Sequence, residues 1–474
     1  MLAATAAVAV ILLCLSWLLL LARALRHTLP PRAAVIAALA WATPFALGPP
    51  LFSRDVYAYA AQGELARHGL DPATHGVSDL LARGPTGEIF VAAVDPRWRE
   101  THAPYGGLGV GAERLAAALG DLFGTGPAGA IVVLRVVAVL STVALVLLAL
   151  RLLRAQCPAP GSGSRLAVVL VLLAANPFVI IHLIGGSHLD ALAAALLAGA
   201  LVADQARRAT TDTGRALGLA ALAMVLACLA GSVKATAFLG AGWLLLVHLR
   251  DAQRVRHLRA AAAALGTDLI AGSAALLAAM AAGGFGPTWI SALATSGTLE
   301  TGVAPASMLA TGLAALAGLV GLDVADGTVL DATRALTLAL AGLIVVWLAL
   351  RTWPRPRPRD GLAVLGYGGM AVVLGSPVVY PWYLALSVPF LAVLVALEFD
   401  RAEPPPHRTG PVVWLVVVTS VWLCAATLSP LAATWRLLGR AGPLPVVVVA
   451  VLLGGMALAA AGWPRWSGAR TRRR

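Results

Sequence analysis

The sequence predicts an all-α polytopic membrane protein. Hydrophobic residues make up 59% of the 474 and charged residues only 12%, where soluble domains carry about 25% charged. Uncharged apolar runs recur from one end to the other, which excludes both a soluble enzyme and a disordered chain. The basic residues gather in short segments between those runs, as the positive-inside rule describes. The net charge of +13 therefore marks topology, and no nucleic-acid partner is expected.

The elements follow in order. Residues 1–22 carry no charge, and Arg23, Arg26 and Arg32 come after them. A cleaved signal peptide has its positive charge first, so this run is read as a span with its N-terminus outside. Further spans are expected at 33–50, 128–150, 166–184, 188–203, 216–231, 235–249, 260–282, 334–350, 361–376, 381–397, 411–430 and 443–463, about thirteen in all. Several are shorter than the ~20 residues that cross a bilayer. On this topology the inner segments hold 24 of the 35 Lys and Arg, while the large outer loop, 51–127, holds six.

That loop also holds nine of the 22 acidic residues. Within it Leu115, Leu119, Leu122 and Phe123 share one helical face and Glu113, Arg114 and Asp121 lie elsewhere, the pattern of an amphipathic helix on a membrane surface. The apolar segment 306–322 is not counted as crossing. If it crossed, Arg351, Arg355, Arg357 and Arg359 would face outside, so a re-entrant or interfacial helix is expected. The chain thus divides into two N-terminal spans (1–50), the extracytoplasmic loop (51–127), a core of spans (128–282), a second outer stretch (283–333), C-terminal spans (334–463) and a basic cytoplasmic tail (464–474).

Cys14, Cys157, Cys228 and Cys424 are far apart in sequence with no CxxC, so neither a disulfide framework nor a zinc site is expected. No cofactor and no metal are expected, since no ligand spacing demands one.

Polar groups near the bilayer are costly, so each is a functional hypothesis by default. Asp55 directly follows the second span; it can cap the helix that begins there, act as a general base, or do both. Gly185-Gly186-Ser187-His188-Leu189-Asp190 forms an outer turn, where His188 and Asp190 are either helix caps or contacts to a sugar or phosphate. Lys234 is the one lysine among 34 arginines. It either snorkels to the interface or pairs with phosphate as a compact point charge. Tyr380, Trp382 and Tyr383 belong to an aromatic belt or form a wall for a sugar or lipid head. Gln62, His102 and Tyr105 come from the acidic outer loop. Arg135 is the chief charge inside a span, which keeps a lipid-sugar transporter in view as a rival, although no internal repeat supports one. The set of a carboxylate, a cation, histidines and aromatics fits displacement at the anomeric carbon of a lipid-phosphate sugar.

These motifs resemble a known family. They are Asp55-Val56-Tyr57-Ala58-Tyr59-Ala60-Ala61-Gln62-Gly63, Gly69-Leu70-Asp71-Pro72, Asp95-Pro96-Arg97-Trp98, Ala103-Pro104-Tyr105-Gly106, Asn176-Pro177, the turn ending His188-Leu189-Asp190, Lys234-Ala235 and Pro381-Trp382-Tyr383-Leu384. Their order is similar to that of the actinobacterial polyprenol-phosphomannose-dependent α-1,6-mannosyltransferases, with Leu189 where that family has Asn. The resemblance implies a GT-C-type bundle and Asp55 as catalytic base. It implies a polyprenyl-phosphate sugar donor contacted by Lys234, and mannose passed with inversion to a lipid-linked, lipomannan-type α-1,6-mannan at the outer face of the plasma membrane. A donor carrying glucose or arabinose is the alternative within the same chemistry.

Overall fold

The computed structural model describes residues 2–157, 163–254, 258–294, 304–319, 321, 326–354, 356–399 and 406–427. Among these residues all regular structure is helical and no strand occurs. Five helices are long and apolar enough to cross a bilayer: Thr5–Leu25, Gly126–Gln156, Thr213–Val233, Arg259–Gly283 and Gly327–Thr352. A sixth candidate is the pair Gly163–Ala174 and Val179–Gly185, bent by 56°. The protein is a multi-pass helical membrane protein.

The other expected spans take different forms. The expected 443–463 lies outside the described residues. The second span is a 17-residue helix, α2 (Pro31–Leu47), which follows α1 (Leu2–Leu25). The run expected at 361–376 is one continuous helical stretch with a π-helical turn inside it, and the run expected at 381–397 is divided. The first consists of Pro358–Ala363, a π-helical turn Val364–Gly368 and Gly369–Gly375; the second has a 3-10 segment Pro381–Leu386 before Val388–Glu398. Gly366 and Gly368 lie in the π-helical turn of the first run, and Pro381 and Pro389 open the two pieces of the second, which a hydropathy average does not register. The apolar segment near 306–322 contains a 15-residue helix, Pro305–Leu319.

The bend in the 163–185 run has an identifiable cause. Pro177 cannot donate to the preceding turn. Asn176 compensates, donating through Nδ2 to Leu172 O at 3.1 Å and to Ser420 Oγ at 3.0 Å, while its Oδ1 accepts from the Phe178 N–H at 3.1 Å. The segment after the break is π-helical and ends at the Gly185-Gly186 turn.

The large loop is mostly helical. It holds α3 (Asp55–Arg67), a 3-10 segment Val77–Arg83, α4 (Pro85–Ala93) and α5 (Gly107–Leu122). α5 packs on α3 and on α6 (Gly126–Gln156) through a face of small residues. A Cβ on Gly63 of α3 would sit 2.1 Å from the Glu113 carbonyl oxygen, so these helices meet backbone to backbone. Leu115, Leu122 and Phe123 are more than half exposed, so this part of the amphipathic stripe is left facing outward. Glu113 is fully buried with neither carboxylate oxygen hydrogen-bonded among the described residues. Burial pushes its pKa well above the ordinary carboxylate value.

The rest of the core runs through α7 (Gly163–Val169), α8 (Asp190–Ala209), α9 (Thr213–Val233), α10 (Phe238–Arg254) and α11 (Leu258–Gly283). Arg135 of α6 is buried between the end of α2 and the Gly185–Ser187 turn. It donates to the carbonyls of Phe45, Gly48 (3.3 Å) and Gly185 (3.0 Å) and to Ser187 Oγ. The charge noted within a span thus serves carbonyls at the end of α2 that lack a helical partner, and shares the Gly185 carbonyl with the Leu51 N–H. A second group of buried polar side chains joins α8, α10 and α11. His248 Nδ1 lies 2.8 Å from Asp268 on α11, and His248 Nε2 lies 3.4 Å from Asp204. Asp204 in turn holds Arg207 and Arg208 of α8.

Candidate active site

One cavity of about 190 Å³ gathers most of the polar residues singled out above: Asp55, Gln62, His102, Tyr105, Lys234, Tyr380, Trp382 and Tyr383 line it. These come from α3, the stretch before α5, the junction of α9 and α10, and the 3-10 segment at 381. His188 and Asp190 do not line the cavity but stand directly behind it, both fully buried.

Asp55 is the first residue of α3. The cap position is held by Arg54, whose side chain makes no cap hydrogen bond. The Asp55 carboxylate, 23% exposed, instead borders the cavity, with Oδ2 3.8 Å from His188 Nδ1. Burial raises its pKa from 3.8 to about 6, against the opposing pull of Ser53 and Lys234. A carboxylate with that pKa is ionised at neutral pH and basic enough to take a proton.

Lys234 ends α9 with its Nζ 3.7 Å from Asp190 Oδ1. The ammonium also lies 4.2 Å from the Tyr383 ring centroid and 5.6 Å from that of Tyr105. Burial alone would lower its pKa. Asp190 and the two tyrosines reverse this and hold it above the usual lysine value, so it stays charged.

Behind the carboxylate runs a chain of polar contacts. Tyr105 Oη donates to Tyr59 Oη at 3.1 Å, and Tyr59 Oη lies 3.2 Å from His188 Nδ1. The His188 ring stacks on Trp382 with centroids 3.8 Å apart, and Trp382 stacks on Tyr380 at 4.5 Å. The aromatic residues thus form one continuous stack reaching the Asp55–Lys234 region. The turn that carries His188 demands its glycines: a Cβ on Gly186 would lie 2.7 Å from the His188 ring, and one on Gly185 would lie 2.8 Å from Phe45. Ser187 between them and α8 takes φ of +56°, an uncommon value for a residue with a Cβ, and Arg135 holds its hydroxyl there.

Sequence reasoning singled out neither Tyr59, which links His188 to Tyr105, nor Trp98 and Thr101, which line the cavity. Tyr59 and Trp98 lie inside the quoted motifs, but only three-dimensional contact distinguishes them from core aromatics. Among the described residues no group of three or more His, Cys, Asp or Glu could hold a metal ion.

The fold defines a multi-pass helical membrane protein with a cavity lined by a carboxylate, an ammonium and aromatic rings. The chain belongs to the α-(1→6)-mannopyranosyltransferase family: residues 1–250 match the family described as α-(1→6)-mannopyranosyltransferase, N-terminal domain. It is 32% identical over 392 residues to an α-(1→6)-mannopyranosyltransferase of Mycobacterium tuberculosis, covering 73% of this chain and 63% of that one. It is 28% identical over 368 residues to α-(1→6)-mannopyranosyltransferase B of Corynebacterium glutamicum, covering 74% and 57% respectively. The chain thus spans less than two-thirds of the length of these relatives. Among solved structures, the Archaeoglobus fulgidus oligosaccharyltransferase in complex with zinc and sulfate aligns with a TM-score of 0.44 and 14% identity, covering 84% of this chain and 53% of that one.

Proposed function

We propose that the protein is an inverting glycosyltransferase that moves mannose from a polyprenyl-phosphate donor to an α-1,6-mannan acceptor. The observation that carries this reading is the placement of Asp55 and Lys234 on the walls of one aromatic cavity. Asp55 takes the proton of the acceptor hydroxyl as its oxygen attacks the anomeric carbon. The bond from that carbon to the phosphate oxygen breaks, and Lys234 stabilises the charge on the departing phosphate. Asp190 is fully buried behind Lys234 and serves as its counter-ion, which leaves Asp55 as the carboxylate facing substrate. A single base with no second carboxylate nucleophile gives inversion, by analogy with glycoside hydrolysis. Trp382, Tyr380 and Tyr383 supply flat apolar surface for a sugar face or for the first isoprene units, with Gln62 and His102 as polar contacts. The distribution of Lys and Arg supports an active site on the extracytoplasmic side of the plasma membrane.

The test uses membranes containing the chain or its Asp55→Asn variant, supplied with polyprenyl-phosphomannose and a short α-1,6-mannoside. Extension by the wild type, and none by a variant with an unchanged elution profile, supports the reading. Equal extension by both removes Asp55 from the chemistry. With polyprenyl-phosphoglucose and polyprenyl-phosphoarabinose run in parallel, extension only from one of these reassigns the sugar.

A further inference from the structure

A second cavity, of about 670 Å³, lies far from the first. It opens between the last turns of α6 and α8 and the start of the Pro358–Ala363 helix, and is lined by Arg151, Gln156, Gln205, Arg208, Arg357 and Arg359. α8 relates the two sites. Asp190 begins it behind the first cavity, and Gln205 and Arg208 near its other end line the second. Twenty helical residues span about 30 Å, which is about the thickness of the hydrocarbon core. The two cavities therefore face opposite boundaries of the membrane.

The charge of this pocket is only partly answered by the protein. Arg208 is held by Asp204 at 3.0 Å and by Asp251 at 3.4 Å. Among the described residues the guanidiniums of Arg151, Arg357 and Arg359 form no ion pair. Two amide atoms of the lining, Gln156 Nε2 and Gln205 Oε1, are buried without a hydrogen-bond partner. Buried polar atoms of this kind call for a partner. The positive-inside rule accounts for arginines on this side of the membrane, but not for a concave wall of them around unsatisfied amides.

We propose that this pocket binds a phosphate ester, with guanidiniums from three separate chain segments around the anion and the two glutamines meeting its oxygens and an adjacent hydroxyl. Such basic pockets between helix ends are where anionic lipid headgroups seat, and a soluble phosphate ester offers the same chemistry.

The experiment compares the chain in phosphatidylcholine nanodiscs with and without phosphatidylglycerol, and in phosphatidylcholine alone with added inorganic phosphate. Bound lipid is counted by native mass spectrometry, and phosphate is read by the thermal midpoint. The test variant carries Arg151→Gln, Arg357→Gln and Arg359→Gln; a control carries Arg23→Gln, Arg32→Gln and Arg215→Gln. We expect phosphatidylglycerol to bind the triple variant on the order of 100-fold more weakly than wild type, with the control unchanged. Protection by inorganic phosphate of wild type and not of the triple variant, without lipid enrichment, also supports the site and makes its ligand soluble. Should the triple variant fold poorly, Gln156→Leu with Gln205→Leu keeps the arginines and must still weaken binding. Equal binding by wild type and variants, or an equal loss in the control, overturns the proposal.

Discussion

Lys234 Nζ stands 3.7 Å from Asp190 Oδ1, and the carboxylate of Asp190 is wholly buried. Each charge is tolerable only because of the other, since an uncompensated buried charge is strongly destabilising. Lys234→Met should therefore lower stability by about 3–5 kcal/mol and abolish transfer. Adding Asp190→Asn should restore the thermal midpoint without restoring transfer, because the phosphate partner is still missing. A double variant that regained activity would remove Lys234 from phosphate stabilisation.

Asp55→Asn should lose transfer while gaining stability. The folded protein holds the Asp55 pKa near 6 instead of 3.8, so ionising it costs the native state energy that the unfolded chain does not spend. That penalty is full above about pH 6 and absent below the unfolded value. It amounts to about 2–3 kcal/mol at most. The variant should unfold at a higher temperature than wild type at pH 7, with the two curves meeting near pH 4. In wild type, turnover should rise with pH through about 6 as the base ionises. A flat acid limb would contradict this.

Arg135→Met should strand the carbonyls of Phe45 and Gly48, at about 1–3 kcal/mol for each, leave Gly185 O with the Leu51 N–H alone, and release Ser187 from its positive φ. Both stability and turnover should fall, since His188 is next in the chain. Arg135→Lys should recover only part, because one ammonium cannot reach every acceptor that the guanidinium fork serves. Thermal midpoints alongside initial rates check both.

Trp382→Ala removes the middle ring of the His188–Trp382–Tyr380 stack and should cost about 3–5 kcal/mol. Trp382→Phe keeps a ring there and should retain the fold, with KM for the lipid donor raised more than kcat is lowered. An unchanged KM in the Phe variant would place the donor elsewhere.

Much of this site was legible in the sequence, for a physical reason. Charges beside apolar runs are expensive, so Asp55, His188, Asp190 and Lys234 stood out by their cost alone. Their gathering was legible only through the topology that put them at one end of the bundle. The reason Gly185 and Gly186 must be glycine was not legible, because Phe45 and the His188 ring reach them from elsewhere in the fold. The His248–Asp268 pair was missed outright. One aspartate in an apolar run reads as a blemish in the hydropathy until the histidine on the neighbouring helix comes into view. Arg135 was seen only as a charge inside a span, since the carbonyls it serves at the end of α2 and in the Gly185 turn leave no mark in a side-chain pattern.

The contact between Gly63 and the Glu113 carbonyl also governs how this chain can drift. α5 meets its neighbours with backbone on one side and shows Leu115 and Leu122 outward on the other. Where α3 meets that inner side, even a methyl group on Gly63 is too much, so a library of random substitutions would return almost nothing but glycine at 63. On the outer side any apolar residue serves, and variants there would accumulate freely. The two faces of α5 thus keep opposite records of selection, and a deep mutational scan would draw the boundary between them one residue at a time.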